Sequence, residues 1–274
     1  MPADPTDSAA MKPLAGRRAL VTGGARGVGF HCASALASAG AHVVITSRHE
    51  APATEALKEL TRSGVVSLVV ADIADPDQIT DLAEEISSDG PLHILVNNAG
   101  VTWGAPLEEY PPHAWNKVLG IDVAAPFQLV QRLLPALREA GSPDDPARVV
   151  NIGSIDGHAV GGFDNFAYSA AKAGIHHLTR VLAYRLGPDG ITVNCIAPGP
   201  IHSKMTAALI EEHEAELLAR NPLGRLCQPN DIASALLYLA GPGAGYVTGA
   251  VLPVDGGFAI SPWWPAPPLD QNGE

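Results

Sequence analysis

The sequence is short of cysteine, of aromatic residues and of positive charge. Its 274 residues include three cysteines, Cys32, Cys195 and Cys227, which are far apart and form no Cys-x-x-Cys or Cys/His spacing. That argues against a disulfide framework, and the cysteines read as small buried apolar residues in a reducing compartment. No cluster with metal-ligand spacing is visible, so no metal is expected. Lysine and arginine total 17 against 29 acidic residues, a formal net charge of -12 at pH 7. A net field of that sign repels phosphate, so neither nucleic acid nor a membrane is expected as a partner. A local basic pocket remains open. No apolar run is long enough to cross a bilayer. "MPADPTDSAA" has no basic stretch followed by an apolar one. A secretory leader is therefore not expected, and the expected location is cytoplasmic.

What the chain does have is alternation. Short runs rich in Val, Ile and Leu, namely "RALVT", "AHVVIT", "VVSLVVA", "LHILVN", "RVVNIG", "GITVNCI" and "GAVLPV", are separated by longer amphipathic stretches. The stretches, such as "APATEALKELTRSG" and "DPDQITDLAEEISSDG", have helical periodicity and acidic or Pro-containing starts. Continuous apolar runs joined by helices imply parallel strands buried on both faces. The expected fold is α/β: a single doubly wound Rossmann domain over residues 14–260, with a seven-stranded parallel sheet flanked by helices. Residues 1–13 and 261–274 read as tails.

The first strand runs straight into "TGGARGVGF", Thr22–Phe30, and a helical segment follows. Gly23, Gly27 and Gly29 allow a tight turn and let backbone approach a phosphate closely. With Ala25, Arg26 and Val28 they form a loop that meets a pyrophosphate at a helix N-terminus. At the end of the second strand "VVITSRHE" places Ser47 and Arg48. A carboxylate there would repel a 2′-phosphate, whereas Arg48 can bind one as a fork, with Arg26 as a second cation. NADPH/NADP+ is therefore the expected cofactor, the competing reading being that Arg48 is an ordinary surface arginine.

"AYSAAKAG" sets Tyr168 and Lys172 four residues apart, on one face of a helix. A free phenol titrates near 10, and an ammonium beside it favours the phenolate, which suits a proton donor and acceptor. The plainer alternative is a packing tyrosine and a solvated lysine.

The segments "TGGARGVG", "AD" (Ala71–Asp72), "NNAG" (Asn97–Gly100), "GS" (Gly153–Ser154), "YSAAK" (Tyr168–Lys172) and "APGPI" (Ala197–Ile201) come in this order. Singly each is weak; in register they resemble the short-chain dehydrogenase/reductase family over about residues 14–260. "NNAGVTWGAPLEEYP", "RVVNIGSIDG" and "YVTGAVLPVDGGF" are most similar to the 3-oxoacyl-(acyl carrier protein) reductases of the rhamnolipid-biosynthesis-like branch. The resemblance implies Tyr168 as acid/base, Lys172 as its electrostatic partner, and Ser154 as hydrogen-bond donor to the carbonyl oxygen. It also implies contacts of Tyr168 and Lys172 with the nicotinamide ribose, and of Asp72 and Ile73 with the adenine. Asn98, Ala99 and Gly100 would lie along the adjacent ribose, with Pro198, Gly199, Ile201 and Ser203 near the nicotinamide. Asp72 also reads as a turn or capping residue.

One position departs from the family. Asp122 stands where the family usually carries an asparagine on a kinked helix. Its carboxylate reads as a tolerated change, as part of a proton relay or support for Lys172, or as a sign of lost turnover. The resemblance further implies a substrate pocket from Trp103, Ile155, Asp156, His158, Phe163 and Met205, under a lid at about 201–225. His158 and His202 read more simply as polar pocket or surface histidines. A docking patch for an acidic carrier protein would need Arg132, Arg138 and Arg148, but "GSPDDP" places acids beside them. A small ketone or small acyl thioester is thus the expected substrate. The apolar helical segments "HAWNKVLGIDVAAPFQLVQRLLPAL" and "AYSAAKAGIHHLTRVLAYRL" resemble those that pair subunits, and a homotetramer is expected, with a dimer as the alternative. Other readings are a dehydrogenase of sugar, steroid or secondary-metabolite alcohols, and an NADP(H)-binding regulator with little turnover.

Overall fold

The computed structural model describes residues 12–160, 163–203 and 206–261. The expected tails fall almost wholly outside these residues, as does Met205. Seven strands form one parallel sheet: β1 (Arg18–Val21), β2 (His42–Ser47), β3 (Val66–Val70), β4 (Ile94–Asn97), β5 (Ala147–Ile152), β6 (Ile191–Pro198) and β7 (Val251–Val254). Their spatial order is β3-β2-β1-β4-β5-β6-β7. Each apolar run in the sequence became a strand. β1, β4, β5 and β6 are buried at every residue, while the edge strands β3 and β7 are only partly covered. Central strands of a parallel sheet are covered by helices on both faces, which is why their sequences do not alternate.

Two apolar cores lie against the sheet. One joins Cys32 and Leu36 of α1 (Gly27–Ser38) and Leu60 of α2 (Glu50–Leu60) to Ile232 and Leu236 of α8 (Pro229–Ala240). The other joins Ile79 and Leu82 of α3 (Pro76–Ser88), Leu129 and Leu133 of α5 (Ala125–Ala140) and Leu182 of α6 (Phe166–Leu186). α3 begins as its sequence predicts, with Asp75 accepting the Asp77 N–H and Pro76 at its first position. α4 (Pro112–Leu119) meets α5 through one wide π turn, Gly120–Ala124, so the long apolar segment is an interrupted helix. α7 (Ala207–Arg220) covers Ile155 and Phe258 with Ile210 and Leu217, and is bent at His213.

The chain order reverses between β1 and β4, the switch point at which a doubly wound sheet forms a crevice at the carboxyl ends of its strands. The opposite edge is closed by arginines. Arg18 of β1 donates to the carbonyls of Ile86 (2.6 Å) and Gly90 (2.9 Å), satisfying the end of α3. Arg148 of β5 is only 3% exposed, its guanidinium turned to the carbonyls of Pro146 and Gly241. Arg148 therefore cannot belong to a surface docking patch, and Arg138 is held by Asp189 at 2.8 Å. Of the three arginines weighed for a docking patch, Arg132 is exposed and in no ion pair among the described residues, which agrees with the reading that set the patch aside. Replacing Arg18 with methionine strands the α3 carbonyls. Urea denaturation should show a loss of about 1–3 kcal/mol.

Candidate active site

The glycine turn fills the crevice above β1. Gly23 (φ +64°) and Gly27 (φ +54°) adopt the left-handed conformation that side chains disfavour. Gly29 serves packing: a Cβ there would sit 2.4 Å from the Gly23 carbonyl oxygen and 2.3 Å from Asn98 Nδ2. α1 starts at Gly27 with no side chain capping it, so its first N–H groups face the crevice. Ala25 and Val28 are half-buried beneath the loop, and Arg26 is exposed on it.

Asn98 is tied to this loop. Its amide donates to the carbonyls of Thr22 (2.9 Å) and Gly23 (3.3 Å), while Thr22 Oγ1 accepts the N–H groups of Asn98 and Ala99. The Asn98 side chain is thus committed to shaping the turn, a role the sequence did not reveal. At the tip of β2, Ser47 Oγ donates to the His49 carbonyl at 3.0 Å. Arg48 is exposed and, among the described residues, neither it nor Arg26 is in an ion pair. Asp72 accepts the Ala74 N–H at 3.0 Å, the turn role weighed for it, and the Ile73 side chain is packed into the core. Pro198 and Gly199 are buried at the end of β6, followed by Ile201 and by Ser203, whose Oγ lies 3.0 Å from Thr206 Oγ1. An uncapped helix start, a turn that tolerates no Cβ and two unpaired arginines suit a phosphorylated dinucleotide.

Two strands along, α6 carries Tyr168 and Lys172 past the end of β5. Lys172 Nζ lies 5.3 Å from the Tyr168 ring centre, and Ser154 is a hydrogen-bonding neighbour of the phenol. Ser154 Oγ accepts the Asp156 N–H at 3.2 Å, so its own proton is free to be donated elsewhere. Lys172 is 5% exposed and donates to the Ile152 carbonyl at 3.1 Å. Asp122, in the π turn, stands 3.1 Å from the same nitrogen.

Burial holds the Tyr168 phenol above its ordinary value, although Lys172 and the Ser154 hydrogen bond pull it down. Lys172 favours the phenolate as expected, but burial outweighs it, so the expected net lowering is corrected. Burial works hardest against the Lys172 ammonium, but the Asp122 carboxylate and the Tyr168 oxygen together outweigh it, and the lysine lies above its usual value. Burial raises the Asp156 carboxyl as well, against an Asn165 hydrogen bond of 2.9 Å.

The remaining pocket residues gather around this cluster. Trp103 packs edge-on to His113 and belongs with Tyr168 to one small apolar group. Ile155 lies under α7, Phe163 is 6.1 Å from His213, and His158 is exposed with its ring 4.6 Å from His176. His202 is exposed. His176 escaped the sequence reading. It fills the space behind Ser154 that Gly153 and Gly157 leave, since a Cβ on either would come within 2.4–2.5 Å of its ring. Burial lowers it to about 4, so it is neutral. Cys32, Cys195 and Cys227 are all buried free thiols, pushed up to about 12 by that burial.

A doubly wound sheet with a phosphate-cradling turn at its switch point and a Ser/Tyr/Lys cluster beside it defines a nucleotide-dependent oxidoreductase. A family model described as enoyl-(acyl carrier protein) reductase matches residues 23–259. The rhamnolipids biosynthesis 3-oxoacyl-(acyl-carrier-protein) reductase of Pseudomonas aeruginosa is 42% identical over 90% of this chain and 98% of its own. The cis-4-hydroxycyclohexanecarboxylate dehydrogenase of Sinomonas cyclohexanicum is 39% identical over 89% of this chain and 97% of its own. The solved P. aeruginosa RhlG/NADP active-site complex superposes with a TM-score of 0.86, at 41% identity over 91% of this chain and 98% of that one. The chain belongs to the short-chain dehydrogenase/reductase family.

Because Gly29 is hemmed by backbone, Gly29→Ala should cost about 1–3 kcal/mol in urea denaturation, as overpacking does.

Proposed function

We propose that the chain is an NADPH-dependent carbonyl reductase that converts a 3-oxoacyl thioester, or a related 3-oxo compound, to its secondary alcohol. The reading is carried by the row of Ser154, Tyr168 and Lys172 at the carboxyl edge of the sheet, two strands from the glycine turn. Gly23, Ala25, Arg26, Gly27, Val28 and Gly29 hold the pyrophosphate, and Arg26, Ser47 and Arg48 the 2′-phosphate. Asp72 and Ile73 flank the adenine, and Asn98, Ala99 and Gly100 the next ribose. Pro198, Gly199, Ile201 and Ser203 border the nicotinamide, and Tyr168 and Lys172 its ribose. NADPH bound there supplies the hydride.

The chain's residues handle the oxygen. Ser154 Oγ donates a hydrogen bond to the carbonyl oxygen as negative charge gathers on it. Tyr168 Oη releases its proton to that oxygen, and the resulting phenolate is stabilised by the Lys172 ammonium. With the phenol held above its ordinary value, its proton is present at neutral pH when the carbonyl arrives.

Arg148 is buried and Arg138 is paired, so a small or coenzyme-bound thioester is preferred to a carrier-bound chain. A large fall in KM on adding carrier protein would reverse that preference. The Sinomonas relative supports a second reading, in which the same site acts on the alcohol or ketone of a small cyclic compound. Residues 14–260 act as one domain in the cytoplasm, as a homotetramer. The exposed Trp115, Phe127, Val181 and Tyr184 along α4 to α6 support subunit pairing there.

NADPH consumption should be measured with a 3-oxoacyl thioester beside free ketones. Tyr168→Phe should lower kcat by about 10²–10⁴ while leaving NADPH binding intact. Turnover of free ketones alone would favour the second reading, and NADPH binding without any turnover would defeat both. Arg48→Ala should narrow the preference for NADPH over NADH about tenfold or more, the loss of one charge-assisted contact; an unchanged preference would refute the 2′-phosphate assignment.

A further inference from the structure

Proton donation by Tyr168 calls for a phenol and a cation, not for a carboxylate. Asp122 nevertheless places Oδ2 3.1 Å from Lys172 Nζ, with its side chain wholly buried and that of the lysine 6% exposed. Oδ1 accepts the Val101 N–H at 2.8 Å. The bare Cα of Gly100 admits the carboxylate, since a Cβ there would sit 3.1 Å from Oδ2. Among the described residues Lys172 is the one cation in ion-pair contact with Asp122.

The other titratable groups facing this row come from several elements. Beyond β5 stand Asp156, which opposes a phenolate as Asp122 does, and His158. α6 adds neutral His176, and Arg180, which bears on His176 and Cys195; β6 adds the protonated Cys195 thiol. α4 adds Lys117 over the Trp103 ring, and α7 adds His213 beside Phe163. None of them replaces Asp122 at the lysine nitrogen.

With the phenol protonated, Asp122, Lys172 and Tyr168 together carry no net charge. An amide at position 122 would leave that buried row at +1, and a row so charged gives up its first proton at lower pH. Resting on the reductase reading above, we infer that Asp122 is a positioning residue. By cancelling the Lys172 charge it keeps the Tyr168 phenol protonated into alkaline pH, and so biases the site toward carbonyl reduction over alcohol oxidation. Reduction needs the phenol; oxidation needs the phenolate.

The test is a pH titration of tyrosinate absorbance in cofactor-free protein, comparing the intact sequence with Asp122→Asn, each corrected by its Tyr168→Phe counterpart. The Tyr168 signal should appear at or above about pH 10 in the intact protein, and at least about one unit lower in Asp122→Asn. The alkaline limb of ketone reduction should fall in parallel, and Asp122→Glu should restore it. An intact protein whose Tyr168 titrates below about pH 10, or an Asp122→Asn titration that does not move, would overturn the inference. Should Asp122→Asn not fold, Asp122→Ser takes its place, with the same downward shift expected and an unmoved titration overturning the inference. A shifted titration in a protein that reduces no ketone would uphold the charge cancellation while the reductase reading fails.

Discussion

A lysine ammonium with almost no access to water has to be answered by its surroundings, and much of this site is arranged around answering Lys172. The Ile152 carbonyl at the tip of β5 accepts one of its protons. The Asp122 carboxylate balances its charge from the far side. The Tyr168 ring lies one helical turn away on the same face. These groups meet because α6 passes the end of β5, the segment after α4 widens into a π turn, and Gly100 leaves the carboxylate room. A buried charge is tolerated only when its partners are fixed, so the lysine imposes geometry on three separate stretches of chain.

The parallel sheet supplies the rest. All its strands point the same way, so the segments that leave β1, β4, β5 and β6 gather along one edge. The glycine turn, the Asn98–Gly100 stretch, Ser154 and the Pro198–Ile201 stretch are those segments. The edge itself is held by short-range bonds, with Thr22 and Asn98 stapling the loop after β1 to the loop after β4. At the opposite end of the strands Arg18 and Arg148 spend their hydrogen bonds on main-chain carbonyls, which suits a structural end and leaves the chemistry at the other.

The parts legible in the sequence are those governed by local pattern. Apolar runs marked the strands, Asp75 and Pro76 marked the start of α3, and the four-residue spacing placed Tyr168 beside Lys172. The parts that stayed hidden depend on contacts between distant residues. Nothing near Asn98 says that its amide binds the glycine loop 75 residues earlier, and the sequence left three roles open for the Asp122 carboxylate, which the fold sets 3.1 Å from Lys172 Nζ. His176 drew no notice in the sequence, because only the fold sets Gly153 and Gly157 against its ring. Arg148 was weighed as a surface arginine because it is charged, yet it is the second residue of a fully buried strand. The direction of the Tyr168 shift misled: adjacency to a cation is visible in a sequence, whereas the depth of burial that outweighs it is not.

The three sequestered thiols bear on where this protein can work. A thiol held near 12 is almost never a thiolate at neutral pH, and the thiolate is the form that peroxides and alkylating agents attack. Cys195, the thiol nearest the Ser154 segment, is walled off behind Gly153 and His176. At its cysteines the chain offers an oxidant little thiolate to attack.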